Sequence, residues 1–308
     1  MDILDKNLIM EDRFVAFIDI LGFKDYIITY EKNNDYDLLH KIKSILNFMQ
    51  EETEESHYWS DLPVYELRDG KMYEYELGHP KMTYVSDCII ISADGDMDGF
   101  KGLSQKIHKI ITELAVDGIF CRGAISKGKL FHHDKILFGT AYMKAYQLEV
   151  KAVYPRVIID PEILDFFNLT QDKVPLAPIF YGKDDDEFYY LKYFTWNYFP
   201  PYMHNWIHYL LVVRQHIVKK LLELEKLLLE RSDENTSKVY EKYKWLVLEF
   251  NRTLDFYRED LDERLERENK ELEVLHQKAM TKYNVFDTLE KYGRQICKIE
   301  KNELDAWV

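Results

Sequence analysis

The sequence predicts one sheet with packed helices, of the α/β or α+β class, followed by a helical extension. Three observations predict this organisation. Short apolar segments alternate with helical patterns through the first half of the chain. A stretch rich in aromatic and acidic residues follows them. Beyond it, apolar residues recur at spacings of three and four. The predicted division is a sheet domain at 1–170, a connector at 171–202 and a helical extension at 203–308.

The first elements follow from apolar runs and turn residues. Arg13–Asp19 is nearly all apolar between its ends, which is typical of a strand buried on both faces. Gly22 ends that strand, and a helical pattern continues to about Gln50. The dipeptide Asp69–Gly70 lies between alternating polar and apolar runs, which predicts a β-hairpin. Met82–Ser92 predicts two further strands, hinged at a central Ser-Asp dipeptide.

The next elements follow the same logic. Phe100–Val116 carries an amphipathic helix pattern. Ile119–Phe138 predicts two strands separated by a turn at Gly128. Gly139 opens another helix, and Val157–Ile159 predicts a last short strand.

The connector and the extension are predicted from composition and spacing. The acidic run Asp184–Glu187 in the connector favours a solvated turn over a cation site. Two helical patterns then flank a polar segment, Ser232–Ser237. Because so short a loop joins them, the two helices are expected to pack antiparallel.

The composition disfavours several classes of protein. The chain has 308 residues and a net charge of −14, from 41 basic and 55 acidic side chains, so it repels a phosphate backbone and binding to a nucleic-acid polymer is not expected. No run approaches the ~18 apolar residues that span a membrane. Three cysteines are too few for a disulfide framework or a zinc cluster, which favours a cytoplasmic location.

Two aspartates are the candidate metal ligands. Asp19 ends the first buried strand, and Asp87 lies between two apolar strand segments. A carboxylate in such a position is costly unless something compensates its charge, and carboxylate oxygens suit magnesium or manganese. Gly22 allows the backbone beside Asp19 to approach a ligand, and the helix that follows offers amides to phosphates. The alternative is that each aspartate only caps a helix or turn.

A third motif carries a basic residue. Arg122 precedes an apolar strand core that ends at Gly128, which is compatible with positioning a phosphate but also with an ordinary salt bridge. The adjacent His132 and His133 would point to opposite faces of a strand, which disfavours a shared metal site. Cys88 lies beside Asp87 and is expected to pack as a small apolar residue.

The order of these motifs resembles the catalytic domain of class III nucleotide cyclases, and most closely the pyrimidine cyclases of the Pycsar anti-phage system. The resemblance spans about residues 12–165 and implies an α+β fold with a ferredoxin-like sheet. The matching segments are Phe17–Phe23, Val85–Asp87, Arg122–Gly128, Gly139 and Ala145–Glu149.

The resemblance implies a two-cation active site in a homodimer. Asp19, Asp87 and the carbonyl of Ile20 match the metal ligands, for two Mn²⁺ or Mg²⁺ ions. Leu21, Gly22 and Phe23 match the turn that binds the nucleotide. The implied reaction converts a nucleoside triphosphate into the 3′,5′-cyclic monophosphate and pyrophosphate.

Departures from the purine cyclases bear on the substrate. Thr83 and Ile136 occupy the two positions that read a purine base, which favours UTP or CTP. Met143 and Gln147 stand where the transition-state Asn and Arg are found. The replacement cation would come from a small set of basic residues, which are also the candidates for contacting the nucleotide: Arg122, Lys127 and Lys144.

The sequence therefore predicts a cytoplasmic homodimeric pyrimidine cyclase that makes cyclic UMP or cyclic CMP, acting on a separate effector in anti-phage defence, with no membrane partner. Two alternatives stay open. One is a cyclase-fold nucleotide sensor without turnover, which the absent Asn and Arg favour. The other is an interaction protein that acts through its helical hairpin.

Overall fold

The computed structural model describes most of the chain. The chain divides into two compact units, Met1–Ala115 with Ile119–Tyr193, and Val116–Gly118 with Phe194–Val308. The described residues are 9–34, 40, 44, 64–68, 71–75, 78, 80–133, 136–167, 180–195, 203–231 and 233–276.

The first unit contains all the described strands and four helices. The strands are β1 (Glu11–Ile20), β2 (Val64–Arg68), β3 (Lys71–Tyr75), β4 (Lys81–Val85), β5 (Cys88–Asp94), β6 (Cys121–His133), β7 (Ile136–Gly139), β8 (Val157–Ile159), β9 (Tyr181–Lys183) and β10 (Tyr189–Leu191). The helices are α1 (Phe23–Asn33), α2 (Met97–Val116, whose last residue belongs to the second unit), α3 (Thr140–Glu149) and α4 (Pro161–Phe166).

Strand β1 is an interior strand of an eight-stranded sheet. Among the described strands the order is β4-β5-β1-β6-β8-β10-β9, with β7 paired to β6, and β1 runs antiparallel to both of its neighbours. The chain order β1, α1, β4, β5, α2, β6 combined with the spatial order β4-β5-β1-β6 is the ferredoxin-like arrangement. The predicted α+β class with a ferredoxin-like sheet is therefore confirmed.

The two faces of β1 are covered by different helices. On one face Phe14 packs against Phe100 of α2, with ring centroids 5.4 Å apart. On the other face Val15 and Phe17 share a core cluster with Ala141 and other residues of α3. Burial on both faces explains why the strand is a nearly continuous apolar run.

The predicted turn at Gly128 is wrong, because β6 runs unbroken from Cys121 to His133. Glycine serves close packing here instead. A Cβ atom at Gly128 would lie 3.2 Å from Thr140 Oγ1 and 3.3 Å from the amide nitrogen of Ala141, so glycine allows the start of α3 to approach the strand.

The segment predicted as an irregular connector contributes two strands to the sheet, so Val157–Ile159 is not the last strand. The turn between β9 and β10 carries the acidic run and is solvent-facing, as predicted. Two of its carboxylates bind the fully buried guanidinium of Arg156, whose Nη1 lies 2.9 Å from Asp184 Oδ2 and 3.1 Å from Asp186 Oδ1. A protein cation therefore compensates this acidic run.

The second unit contains a helical hairpin, as predicted, formed by α5 (Met203–Glu230) and α6 (Glu234–His276). Asp233 caps α6, because its carboxylate accepts hydrogen bonds from the Thr236 amide at 2.8 Å and the Thr236 hydroxyl at 2.6 Å. Across the hairpin the Tyr240 hydroxyl donates to Glu225 at 2.8 Å. None of the described helices combines the length and apolar character needed to cross a membrane.

Two sequence predictions concern residues outside the described part of the chain. Strands β2 and β3 pair from Val64–Tyr75 to Arg68–Lys71, which confirms the predicted hairpin, while its Asp69–Gly70 turn lies outside the described residues. The predicted helix to Gln50 is interrupted: α1 ends at Asn33, and Asn34 caps it in the left-handed region. Between residues 35 and 50 the structure describes positions 40 and 44, and both are helical.

We expect Arg156→Met to lower the free energy of unfolding by about 3–5 kcal/mol, since it leaves the largely buried Asp184 without its cation. The matched control is Lys183→Met, which removes an exposed ion pair to Glu187 and is expected to cost much less stability. Urea denaturation at neutral pH measures both. Equal, small losses would contradict the anchoring role of Arg156.

Candidate active site

The end of β1 and the β4–β5 turn bring two aspartates together. Asp19 is the penultimate residue of β1 and pairs with Cys88, and Asp87 lies in the turn just before Cys88. The turn is held against β1 because the Ile20 amide donates to the Asp87 carbonyl at 2.9 Å. One ligand atom from each of Asp19, Asp87 and Cys88 lies within 4.8 Å of the other two.

This cluster fits a divalent cation. Two partly buried carboxylates at the end of a buried strand supply the oxygen ligands that magnesium and manganese prefer. Cation binding would also offset the cost of holding two like charges so close together. Asp19 and Asp87 therefore have the geometry of the predicted metal ligands, and the role of the Ile20 carbonyl stays a prediction.

Cys88 lies inside this cluster as well as against the core. Its Sγ lies 3.7 Å from Asp87 Oδ1. Burial raises the pKa of Cys88 to about 12, with the negative charges of Asp87 and Asp19 adding to the effect. The side chain is therefore a neutral thiol at physiological pH. Sequence reasoning assigned Cys88 to packing alone because it could not place the thiol between two carboxylates.

Arg122 is held between two carboxylates. It lies directly across from Asp19 in the β1–β6 register, and its Nη2 is 3.5 Å from Asp19 Oδ2. Its Nε lies 2.5 Å from Oε1 of Glu149, a buried residue at the end of α3. The salt bridge that the sequence analysis gave as one of two possible roles for Arg122 is thus present, and it lies beside the candidate metal ligands. Glu149 appeared in the sequence only as part of a motif.

The segment after Asp19 forms a tight turn into α1. Gly22 has φ of +78°, in the left-handed region that favours glycine. Its carbonyl accepts hydrogen bonds from the amides of Asp25 and Tyr26, and the Leu21 amide donates to the Phe120 carbonyl at 2.9 Å. Phe23 is buried at the first position of α1. The backbone next to Asp19 is therefore fixed by hydrogen bonds on both sides.

The two predicted base-reading positions meet near His132. The Thr83 hydroxyl lies 2.9 Å from Nε2 of His132, whose Nδ1 is 2.8 Å from the Ser92 hydroxyl. Ile136 is partly exposed and pairs with the residue that follows His132. His132 was considered in the sequence only for a shared metal site. The alternation that places it on the same strand face as the buried Leu130 was the signal for a buried role.

Two basic side chains, Arg13 and Lys81, extend this buried polar network. The Ser92 hydroxyl accepts a hydrogen bond from Nε of Arg13 at 3.2 Å, and Arg13 is itself paired with Asp94 at 2.9 Å. The Lys81 ammonium donates to the His132 carbonyl at 2.8 Å. Burial lowers the pKa of His132 to about 4, with the positive charges of Lys81 and Arg13 contributing. His132 is therefore neutral at physiological pH.

The two remaining basic candidates lie away from Asp19. Lys127 is on the opposite face of β6 from Arg122, where its ammonium lies 4.3 Å from the ring centroid of Phe166. Lys144 on α3 pairs with Asp160 at 2.9 Å and also with Glu162. These contacts do not bring either lysine to the aspartates, and their nucleotide-binding roles stay predictions.

Comparisons with known proteins give structural likenesses at low sequence identity. No protein-family model and no curated protein matches the chain. The adenylyl cyclase CyaB from P. aeruginosa is 15% identical over 59% of this chain and 94% of its own, with a TM-score of 0.36. The monomeric guanylyl cyclase domain of the RhoGC fusion protein from Blastocladiella emersonii is 14% identical over 59% and 95%, with a TM-score of 0.37.

A third similar structure is described as a class III adenylyl cyclase-like ATP-binding protein from Pseudomonas aeruginosa. It is 10% identical over 54% of this chain and 37% of its own, with a TM-score of 0.35. These likenesses concern the fold and not the activity.

We expect acid to destabilise the protein partly through His132. Histidine in an unfolded chain titrates near pH ~6.5, whereas the pKa of His132 in the fold is about 4, so the unfolded state binds more protons between these values. Stability should fall as pH decreases across this window, by up to ~1.4 kcal/mol per pH unit from this residue. Urea denaturation from pH 7 to 4 measures the slope.

The matched variant for this pH dependence of stability is His132→Gln, which removes the titrating imidazole. Burial also lowers the pKa of His108 to about 4, but that residue is common to both proteins and cancels in the difference. The variant should lose less stability on acidification than the wild type. Parallel pH profiles for the two proteins would contradict the assignment.

Proposed function

We propose that this protein is a nucleotide cyclase that converts UTP or CTP into the 3′,5′-cyclic monophosphate and pyrophosphate. The observation that supports this most strongly is the juxtaposition of Asp19 and Asp87 at the end of β1, beside the Gly22 turn. The sequence resemblance to class III cyclases supports the same reading, because both aspartates match its metal-binding motifs.

In this proposal the chain's own residues position the triphosphate. Asp19 and Asp87 would hold Mn²⁺ or Mg²⁺, which when bound neutralises phosphate charge and favours ionisation of the ribose 3′-hydroxyl. The 3′-oxygen forms a bond to the α-phosphorus, the bond from that phosphorus to the bridging oxygen breaks, and pyrophosphate leaves. The hydroxyl proton passes to solvent. Arg122, next to Asp19, would place a positive charge where negative charge develops.

Thr83 and Ile136 support a pyrimidine substrate. Neither side chain is long or charged, and the Thr83 hydroxyl is fixed by His132 rather than mobile. A hydroxyl can both donate and accept, so it suits the edge of uracil or cytosine. The proposed cyclic UMP or cyclic CMP would act on a separate effector in anti-phage defence, a role that rests on the sequence resemblance.

An exposed apolar surface supports the proposed homodimer with active sites at its interface. It is formed by β7 and α3 and consists of Ile136, Phe138, Met143 and Tyr146, which are 43–58% exposed. Met143 lies on this surface at the position where the resemblance places a transition-state asparagine. A second copy of the chain would cover these side chains through a symmetric contact.

We expect Asp19→Asn or Asp87→Asn to reduce cyclisation at least a hundredfold, on the order of the several kcal/mol that a metal ligand contributes. Asp185→Asn, an exposed acid on the β9–β10 turn, is the matched control and should keep full activity. Product is measured by chromatography with Mn²⁺ and each of the four ribonucleoside triphosphates. Near-normal turnover in either site variant would sink the two-metal assignment.

The substrate is tested by competition among equal amounts of the four triphosphates. Cyclic UMP or cyclic CMP should dominate the products. Thr83→Val, which keeps the shape but removes the hydroxyl, should lower kcat/KM for the preferred pyrimidine by roughly 5- to 150-fold, the loss of one buried hydrogen bond. Dominance of cyclic AMP or cyclic GMP would refute the pyrimidine assignment, and no product from any triphosphate would favour the sensor alternative.

The assembly is tested by sedimentation velocity. The wild type should sediment as a dimer, and Phe138→Glu should shift it to a monomer and abolish turnover, because it places a charge in the apolar surface. Leu229→Glu, at an exposed leucine of α5, is the matched control and should remain dimeric. An active wild-type monomer in dilute solution would contradict the interface.

A further inference from the structure

Two carboxylates, those of Asp19 and Glu149, flank the guanidinium of Arg122 at the end of β1. Glu149 is buried, with its side chain 6% exposed, and lies on the same face of the sheet as Asp19. Glu149 therefore shares Arg122 with Asp19, although its carboxylate is outside the group of close ligand atoms formed by Asp19, Asp87 and Cys88.

The contacts of Arg122 with the two flanking carboxylates are unequal. Its Nε lies 2.5 Å from Glu149 Oε1, whereas its Nη2 lies 3.5 Å from Asp19 Oδ2. The first is a close ion pair whose two atoms do not have hydrogen-bond geometry, and the second lies at the distance limit of a hydrogen bond. Arg122 therefore lies closer to Glu149 than to Asp19, although it faces Asp19 directly across the β1–β6 pair.

We propose that Glu149 is a positioning residue that holds Arg122 and so reduces the competition of Arg122 with a divalent cation for the carboxylate of Asp19. The inference rests on the proposed function in so far as Asp19 binds a cation. Without the Glu149 charge, Arg122 would close on Asp19 as a full ion pair and compete with the cation for the same oxygens. Glu149 acts through Arg122 and contacts neither cation nor nucleotide.

The test measures the affinity of the nucleotide-free protein for Mn²⁺ by electron paramagnetic resonance. Glu149→Gln should weaken Mn²⁺ binding by about 5- to 150-fold, the range of typical coupling between sites. Arg122→Gln should bind Mn²⁺ at least as tightly as the wild type. In the Arg122→Gln background, Glu149→Gln should change the affinity by less than about threefold, since the competing cation is already gone.

Each contrary result overturns the proposal. If Glu149→Gln lowered the Mn²⁺ affinity equally in the wild-type and Arg122→Gln backgrounds, Glu149 would be a metal ligand or an independent charge. If the Glu149→Gln variant bound Mn²⁺ with wild-type affinity, Glu149 would have no positioning role. The matched control is Glu162→Gln, an exposed acid paired with Lys144, which should leave Mn²⁺ binding unchanged.

Two further measurements keep the test decisive. Thermal unfolding of every variant separates lost binding from lost fold. Should Glu149→Gln not fold, Glu149→Asp replaces it, because the shorter side chain withdraws its charge from Arg122, and unchanged Mn²⁺ binding would then overturn the proposal. The Mn²⁺ measurement needs no nucleotide, so it tests the role of Glu149 independently of turnover. A wild-type protein that did not cyclise any nucleotide would refute the proposed function and leave this test intact.

Discussion

The burial of β1 on both faces is the constraint on which the rest of the site depends. Its side chains alternate between the α2 side and the α3 side, so the direction of Asp19 is fixed by the same register that buries Val15 and Phe17. Antiparallel neighbours then place Cys88 on one side of Asp19 and Arg122 on the other. A slip of one residue in β1 would turn Asp19 to the opposite face and bury the wrong half of the strand.

Local patterns sufficed to predict much of the fold. The apolar run of β1, the hairpin dipeptides and the helix periodicities depend on neighbours in the sequence. Gly128 was misread because the same residue type serves turns and close packing. Strands β9 and β10 were missed because each has three residues and is held by Arg156, which lies about thirty residues away.

The contacts of the candidate site also differ in how far they could be predicted from the sequence. Asp19 and Asp87 could be paired from the sequence because a family resemblance joined two motifs. The contact of Thr83 with His132 and that of Arg122 with Glu149 join residues 49 and 27 positions apart. Such pairs exist only once the sheet has formed and β6 has curved toward β4, so no sequence periodicity encodes them.

The protonated sulfur of Cys88 has a consequence for the chemical robustness of the protein. Alkylating and oxidising reagents attack the thiolate, and a group with a pKa of about 12 presents almost none of it at neutral pH. Burial therefore does most to protect the sulfur from such reagents, and the negative charges of Asp87 and Asp19 add to that protection.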